Sequence, residues 1–309
     1  MLANTKCFLD FDPLFADYEN SAVVLVPVPY EGGVSAGKGA AGAPDAVIEA
    51  SGLLELYDEI LDAEPYRAGI FTAAPLPVSG AGVEVVQEVR RAVSEILGSG
   101  RFPVVLGGDH SITPGAVQGV AEHYSSLGVI QLDAHADLRS EYDGSRESHA
   151  CVMARVREVT RETLQVGIRS MSIEEARLAA RDRLALFTMN RIRTGGFDPL
   201  TVLKTLPEDV YITMDVDVFD WSVIASTGTP EPGGMFWDET LELLSKVFST
   251  KNVVGFDVVE LSCTEWDRNS PFAVAKLIYK MVGFKMASEI ARRGLSWPVS
   301  PTGPILMES

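Results

Sequence analysis

The sequence predicts an α/β fold, a three-layer α/β/α arrangement around a mainly parallel central sheet. Short β-branched apolar runs such as Val23 to Pro29 and Leu127 to Leu132 recur along the chain, as strands buried on both faces do. Stretches with apolar residues at helical spacing separate them, and that alternation requires crossover connections with helices on both faces of the sheet. Three of the apolar runs end in Asp or His, at the carboxyl ends where such sheets place their functional groups. No composition break, internal repeat or low-complexity linker interrupts the chain, so one domain over residues 1–309 is expected.

Residues 1–20 are mixed in character and are expected to form an N-terminal surface arm, with Val23 to Pro29 as the first strand. The run Y-E-G-G-V-S-A-G-K-G-A-A-G that follows invites comparison with a phosphate-binding loop. Gly32, Gly37 and Lys38 fit, but Gly39 stands where a Ser or Thr hydroxyl would hold magnesium, and helix signals come only near Pro44. We read residues 31–42 as a loop that shapes a pocket. A long helix is expected from Ala41 to Ala63, with Val47, Ile48, Leu53 and Leu54 on its apolar side, then a short strand from Gly69 to Ala73. Gly82 to Leu97 has the pattern of an amphipathic helix, stopped by Gly98 and Gly100.

A strand at Val104 leads into G-G-D-H-S, followed by a helix from Pro114 to His123 whose terminal His123 is expected to face solvent. Strands are expected at Leu127 to Leu132, Thr163 to Ile168, Leu184 to Thr188, Val210 to Phe219 and Val253 to Leu261. Helices are expected at Ile173 to Arg183, briefly near Leu200, at Glu239 to Phe248 and at Phe272 to Arg292.

Chemistry concentrates in V-I-Q-L-D-A-H-A-D, where Asp133, His135 and Asp137 are spaced by two. On an extended strand that spacing sends all three side chains to one face. Any one of them could instead be a helix cap or a satisfied buried polar group. Two further runs, ending in Asp109 and His110 and in Asp215 and Asp217, argue against that, because uncompensated buried carboxylates are costly. His110, His135, Asp133, Asp137, Asp215 and Asp217 offer imidazole and carboxylate donors with no thiolate, a set for Mn, Mg, Zn, Ni or Fe. Four carboxylates exceed the need of one divalent ion and fit two ions bridged by shared ligands, which lower the pKa of water between them. Asp109 should point away from His110 and stabilise its loop, and Asp257 should be structural.

The net charge of −17 argues against nucleic acid and anionic membranes and favours cationic small molecules. Cys7, Cys151 and Cys263 show no paired spacing, and no apolar stretch is long enough for a membrane span, so a cytoplasmic protein is expected.

G-G-D-H-S at 107–111, D-A-H-A-D at 133–137, D-V-D at 215–217 and T-G-T-P-E-P-G-G at 227–234 together resemble the ureohydrolase family of arginase and agmatinase. E-G-G-V-S-A-G-K-G at 31–39 and S-H-A-C-V-M at 148–153 bring the likeness nearest to the agmatinase branch. The resemblance implies the arginase-like fold, a trimer or hexamer, and two manganese ions used to hydrolyse a guanidino compound to urea and an amine. It implies that one ion sits among His110, Asp133, Asp137 and Asp215 and the other among His135, Asp133, Asp215 and Asp217. Glu260, in G-F-D-V-V-E-L, corresponds to the glutamate that grips the guanidinium, and a planar carboxylate suits its fork of N–H donors. His149 corresponds to the histidine that protonates the leaving amine, and Asp137 can also accept a hydrogen bond from the nucleophile.

Residues 138–148 lack the Asn that arginase uses on an amino-acid substrate and carry Glu141, Asp143 and Glu147, which suits a far-end ammonium. Agmatine, hydrolysed to putrescine and urea, is therefore the expected substrate. The alternatives are aminopropylagmatine or another guanidine, and a catalytically silent guanidine-binding relative. The single-zinc histone deacetylases share a related fold, but the six-ligand set speaks against one ion. Ala225, Ser226, Trp221 and Cys263 depart from the family's commonest pattern near the pocket and bear on substrate choice.

Overall fold

The computed structural model describes residues 1–34, 37–79, 82–264 and 266–292; Ser35 and Ala36 of the glycine-rich loop lie outside the described residues. Among the described residues eight strands, β1 (Val23–Val28), β2 (Ile70–Thr72), β3 (Phe102–Gly107), β4 (Leu127–Leu132), β5 (Thr163–Ile168), β6 (Ala185–Thr188), β7 (Asp209–Asp215) and β8 (Asn252–Val259), form one sheet. Its order is β2-β1-β3-β8-β7-β4-β5-β6, and every pairing is parallel. The helices are α1 (Ala43–Ser51), α2 (Gly82–Gly98), α3 (Thr113–Ala121), α4 (Val152–Val159), α5 (Ile173–Asp182), α6 (Met189–Arg193), α7 (Pro199–Leu203), α8 (Trp237–Thr250) and α9 (Asn269–Arg292). This is the expected α/β/α fold.

Strand alternation divides the apolar side chains between two cores. Val23 and Leu25 of β1 with Ile130 and Leu132 of β4 join Val47, Leu244 and Ile278 on one face. Val24, Val26 and Val129 join Val89, Val117 and Val156 on the other. Each fully buried Val, Leu or Ile contributes roughly 1.5–3 kcal/mol of transfer free energy, which ties the layers together. Because β3 and β4 are consecutive yet separated by β8 and β7, the order switches direction at the middle of the sheet. A crevice opens at such a switch point, and the carboxyl ends of β3, β4, β7 and β8 all face it.

Three expectations needed revision. The first long helix ends at Ser51, and Leu53, expected on its apolar side, is 77% exposed. Beyond Gly52 the carboxylate of Asp58 accepts from the backbone of Ile60 and Leu61, holding turns in place of helix, and its Oδ1 also takes buried Lys280 of α9 at 3.0 Å. Helices α4 and α6 were not anticipated, because eight and five residues give too short a window for periodicity to show. In the N-terminal arm Phe8 and Leu9 are buried, held by hydrogen bonds from their amides to Thr72 and Ser51. No helix among the described residues is long and apolar enough to cross a membrane.

Candidate metal centre and adjoining cavity

The six predicted His and Asp side chains converge at the carboxyl ends of β3, β4 and β7, though by turns and not by the strand alternation that the spacing suggested. β4 stops at Leu132, and the next residues bend so that Asp133 Oδ1 accepts the amide of His135 at 2.5 Å and Asp137 adopts a left-handed φ of 53°. β7 stops at Asp215, whose carboxylate accepts the amide of Asp217 at 2.8 Å and caps the one-turn 3-10 helix Val216–Val218. His110 opens another single turn, capped by Asp109. In each case a carboxylate caps the turn that redirects the chain, so the motif residues build the bend that presents them.

His110 Nδ1 lies 3.3 Å from Asp133 Oδ2, 3.2 Å from Asp137 Oδ2 and 3.3 Å from Asp215 Oδ2. It makes no hydrogen bond to any of them, and Asp217 Oδ2, also buried, makes none, although His135 Nδ1 stands 2.8 Å from it. One nitrogen facing three carboxylate oxygens at these separations is the arrangement of neighbouring ligands around a cation, since donors about 2.1 Å from an octahedral ion stand about 3 Å apart. Two groups can each hold an ion, His110–Asp133–Asp137 and Asp133–His135–Asp217, and Asp133 belongs to both. The donors are hard and borderline, the set preferred by Mn, Mg, Zn and Fe. This His/Asp cluster fits a pair of divalent cations.

Electrostatics agree. Burial, then the charge of Asp133, raises the Asp137 carboxyl to about 7, and burial with neighbouring carboxylates raises Asp215 and Asp217. Burial works against His135 as an imidazolium, yet Asp133 and Asp217 outweigh it and lift its pKa to about 12. Asp133 also meets a burial penalty, but His110 and His135 pull its carboxyl below the ordinary range. So many buried acids held by two imidazoles form a site where cations relieve mutual repulsion and displace protons.

A cavity of about 280 Å³ adjoins the cluster, lined by His135, Asp137, Asp215 and His149 and also by Arg139 and Tyr142. His149 Nδ1 lies 3.5 Å from Glu260 Oε1. Burial tends to lower the His149 pKa, and Glu260 raises it above the usual value. Glu260 is buried at the exit of β8 with φ 66°, and its Oε1 accepts the His110 amide at 2.7 Å. One acceptor position of its carboxylate is thus already used, leaving Oε2 and the second lone pair of Oε1 for a ligand.

The acids of residues 138–148, expected to meet a far-end ammonium, stand away from the cavity. Glu141 and Asp143 are exposed and none of Glu141, Asp143 and Glu147 lines the cavity. Asp109 behaves as expected, accepting from the amides of Gly33 and Ser111, and burial raises its carboxyl to about 6. His123 is exposed and meets Ser94 at 3.1 Å. Ala225 and Ser226 present their amides to Ser270 at the start of α9, and the Cys263 amide donates to Gly39. Trp221 is exposed, and none of these departures from the family pattern lines the cavity.

Four supporting residues escaped the sequence reading. Gln131 Nε2 donates to Asp133 Oδ2 at 2.6 Å. Glu175 accepts the amides of Leu138 and Ser172, fastening the chain just after Asp137 to the start of α5. Arg169 fans its guanidinium over backbone oxygens that include those of Asp217, Phe219 and Glu231. Thr213 Oγ1 stands 2.8 Å from His110 Nε2. Thr213, two residues before Asp215 on β7, and Gln131, two before Asp133 at the end of β4, carried a local signal, by strand alternation; Glu175 and Arg169 did not.

A model of the Arginase family matches residues 21–283. The chain is 38% identical to N(1)-aminopropylagmatine ureohydrolase of Synechocystis sp., over 90% of this chain and 94% of that protein. It is 33% identical to agmatinase of Pyrococcus horikoshii, over 92% of this chain and 99% of that protein. In three dimensions it is similar to the agmatine ureohydrolase of Thermoplasma volcanium, with a TM-score of 0.83 and 28% identity, covering 91% of this chain and 95% of that one.

Proposed function

This chain belongs to the arginase family, and on that footing we propose that it is a binuclear-metal hydrolase that removes urea from an agmatine-type guanidine. The observation that carries the reading is the convergence of six His and Asp donors, sharing Asp133 between two cation groups, with three of them, His135, Asp137 and Asp215, lining a cavity that His149 also lines. Agmatine, giving putrescine and urea, is the substrate of the first reading. The net charge of −17 favours a cationic substrate of this kind.

His110, Asp133, Asp137 and Asp215 would hold one ion and His135, Asp133, Asp215 and Asp217 the other, with manganese suited to these donors. When bound, such a pair supplies the Lewis acidity that makes water nucleophilic at neutral pH. Glu260 grips the guanidinium by charge-assisted hydrogen bonds, fixing its plane and its carbon. Asp137 accepts a hydrogen bond from the attacking water. As the water oxygen adds to the guanidinium carbon and the C–N bond to the alkyl chain breaks, His149 delivers a proton to the departing nitrogen; the two protons of the water leave past Asp137, one restoring His149 and one joining the amine, which departs as an ammonium. The products are urea and a primary amine.

A second reading takes aminopropylagmatine as substrate. It is favoured by the names of relatives at 38% and 39% identity, against 33% for the agmatinase of Pyrococcus horikoshii. The test is urea release by manganese-loaded protein with agmatine, aminopropylagmatine, arginine and guanidinobutyrate, with metal content measured on the same sample. Highest kcat/KM with agmatine supports the first reading, and highest with aminopropylagmatine selects the second. Preference for arginine or guanidinobutyrate would refute an amine-ended substrate, and two ions bound with no urea from any compound would point to a silent guanidine-binding relative. We further infer one ureohydrolase domain over residues 1–309, a homo-oligomer (trimer or hexamer) and a cytoplasmic location, the last supported by unpaired Cys7, Cys151 and Cys263.

A further inference from the structure

Asp257 is fully buried beneath the metal-site loops, and the parallel register of β7 and β8 sets it beside Thr213. Its carboxylate collects three hydroxyl groups. Thr213 Oγ1 donates to Oδ1 at 2.6 Å, while Tyr211 Oη and Thr113 Oγ1 donate to Oδ2 at 2.9 and 3.0 Å. A carboxylate holding three hydroxyl donors is satisfied as an anion, so each of those hydroxyl protons is committed to it.

That commitment propagates. Thr213 has one hydroxyl proton and gives it to Asp257, so toward His110 Nε2, 2.8 Å away, it can only accept. The ring proton of neutral His110 must then sit on Nε2, which leaves Nδ1 as a bare lone pair. Nδ1 is the atom that faces Asp133, Asp137 and Asp215 at 3.2–3.3 Å and makes no hydrogen bond. We propose that Asp257 and Thr213 are positioning residues that lock His110 in the Nε2–H tautomer and aim Nδ1 at a metal ion. The inference rests on the reading of His110 as a metal ligand. Ligating histidines are commonly oriented through the nitrogen that does not bind the metal, and here the orienting group is a hydroxyl on β7 held by a carboxylate on β8, the strand between β7 and β3.

Thr113 supplies an internal control. It donates to the same carboxylate, and though its Oγ1 lies 3.3 Å from that of Thr213, it is not the hydroxyl that meets His110. The experiment is equilibrium dialysis of the chelator-stripped full-length chain against manganese alone, with thermal unfolding of the metal-free form. It compares wild type with Thr213→Val, Thr213→Ser, Thr113→Val and His110→Ala. Thr213→Val is expected to weaken one of the two ions about 10–100-fold and spare the other. Thr213→Ser should restore binding, and Thr113→Val should bind both ions as wild type does even with a lower Tm. Should Thr213→Val fail to fold, Thr213→Ala carries the same expectation. Wild-type affinity for both ions in Thr213→Val, or equal losses in Thr213→Val and Thr113→Val, would overturn the inference. Retention of both ions by His110→Ala would instead overturn the ligand reading on which it rests.

Discussion

Replacing Glu260 by Gln separates substrate grip from metal binding. Alanine would be the blunter choice, because it strips the acceptor from the buried His110 amide at 2.7 Å, a loss of about 1–3 kcal/mol that falls on a proposed metal ligand. Glutamine keeps an oxygen there. Its amide then presents –NH2 to the guanidinium, which also offers only N–H donors. Two charge-assisted bonds of about 1.5–3 kcal/mol each are replaced by none or by one neutral bond, so a loss of about 3–4 kcal/mol is expected. At about 1.4 kcal/mol per tenfold, kcat/KM should fall by about 10²–10³. Metal content should stay at that of the wild type. The pH profile should move too. Burial pulls the His149 pKa down and the Glu260 charge raises it, so without that charge the proton donor is lost at lower pH and the alkaline limb shifts downward. Steady-state urea release across pH, with metal analysis on the same protein, reads all three quantities. A kcat/KM within about threefold of wild type, or metal loss as deep as that of Asp133→Ala, would refute the role given to Glu260.

Asp133→Ala should lose both ions and reduce turnover at least as far as loss of the metals does, since Asp133 is the residue common to both cation groups; metal analysis that still finds two ions per chain would contradict this. Glu141→Ala and Asp143→Ala should leave KM for agmatine within about twofold, because exposed single charges contribute little; a tenfold rise in either would revive the acidic loop as an ammonium site. Chelation should reverse the pH dependence of stability. Asp137 titrates near 7 in the folded chain, above its ordinary value, so the stability it allows is present at low pH and is lost as pH rises through about 7. His135, raised by Asp133 and Asp217 against burial, acts in the same direction. The Tm of chelated protein should therefore rise as pH falls from 7.5 toward 5.5, whereas metal-loaded protein should lose Tm as protons compete for the ligands. Parallel trends in the two forms would contradict that account.

Much of the fold was legible because buried parallel strands are local features. Val23–Val28 and Leu127–Leu132 show themselves as apolar runs without reference to any partner. The six candidate ligands were legible through residue type and motif, and their side chains do converge. The route to that convergence was misread. Alternation was expected to carry Asp133, His135 and Asp137 to one face, but β4 ends before them and a left-handed residue at Asp137 completes the bend. The helix expected to run to Ala63 stops at Ser51, where Asp58 finds Lys280 more than 200 positions away. A helical window cannot sense a partner at that distance.

The sequence by itself determined where strands lie, which chemistry their carboxyl ends carry, and that cations would be needed to hold it together. Those are properties of residue type and short spacing. Tertiary structure alone decided which strands became neighbours, and with that the reach of Thr213 and Asp257 toward His110 across β7, β8 and β3. It also turned Glu141 and Asp143 to solvent and placed Arg139 and Tyr142 in the cavity wall instead. The physical reason is that strand order and loop direction are set by burial summed over the whole sheet, and no local spacing encodes which distant side chain will fill a given place.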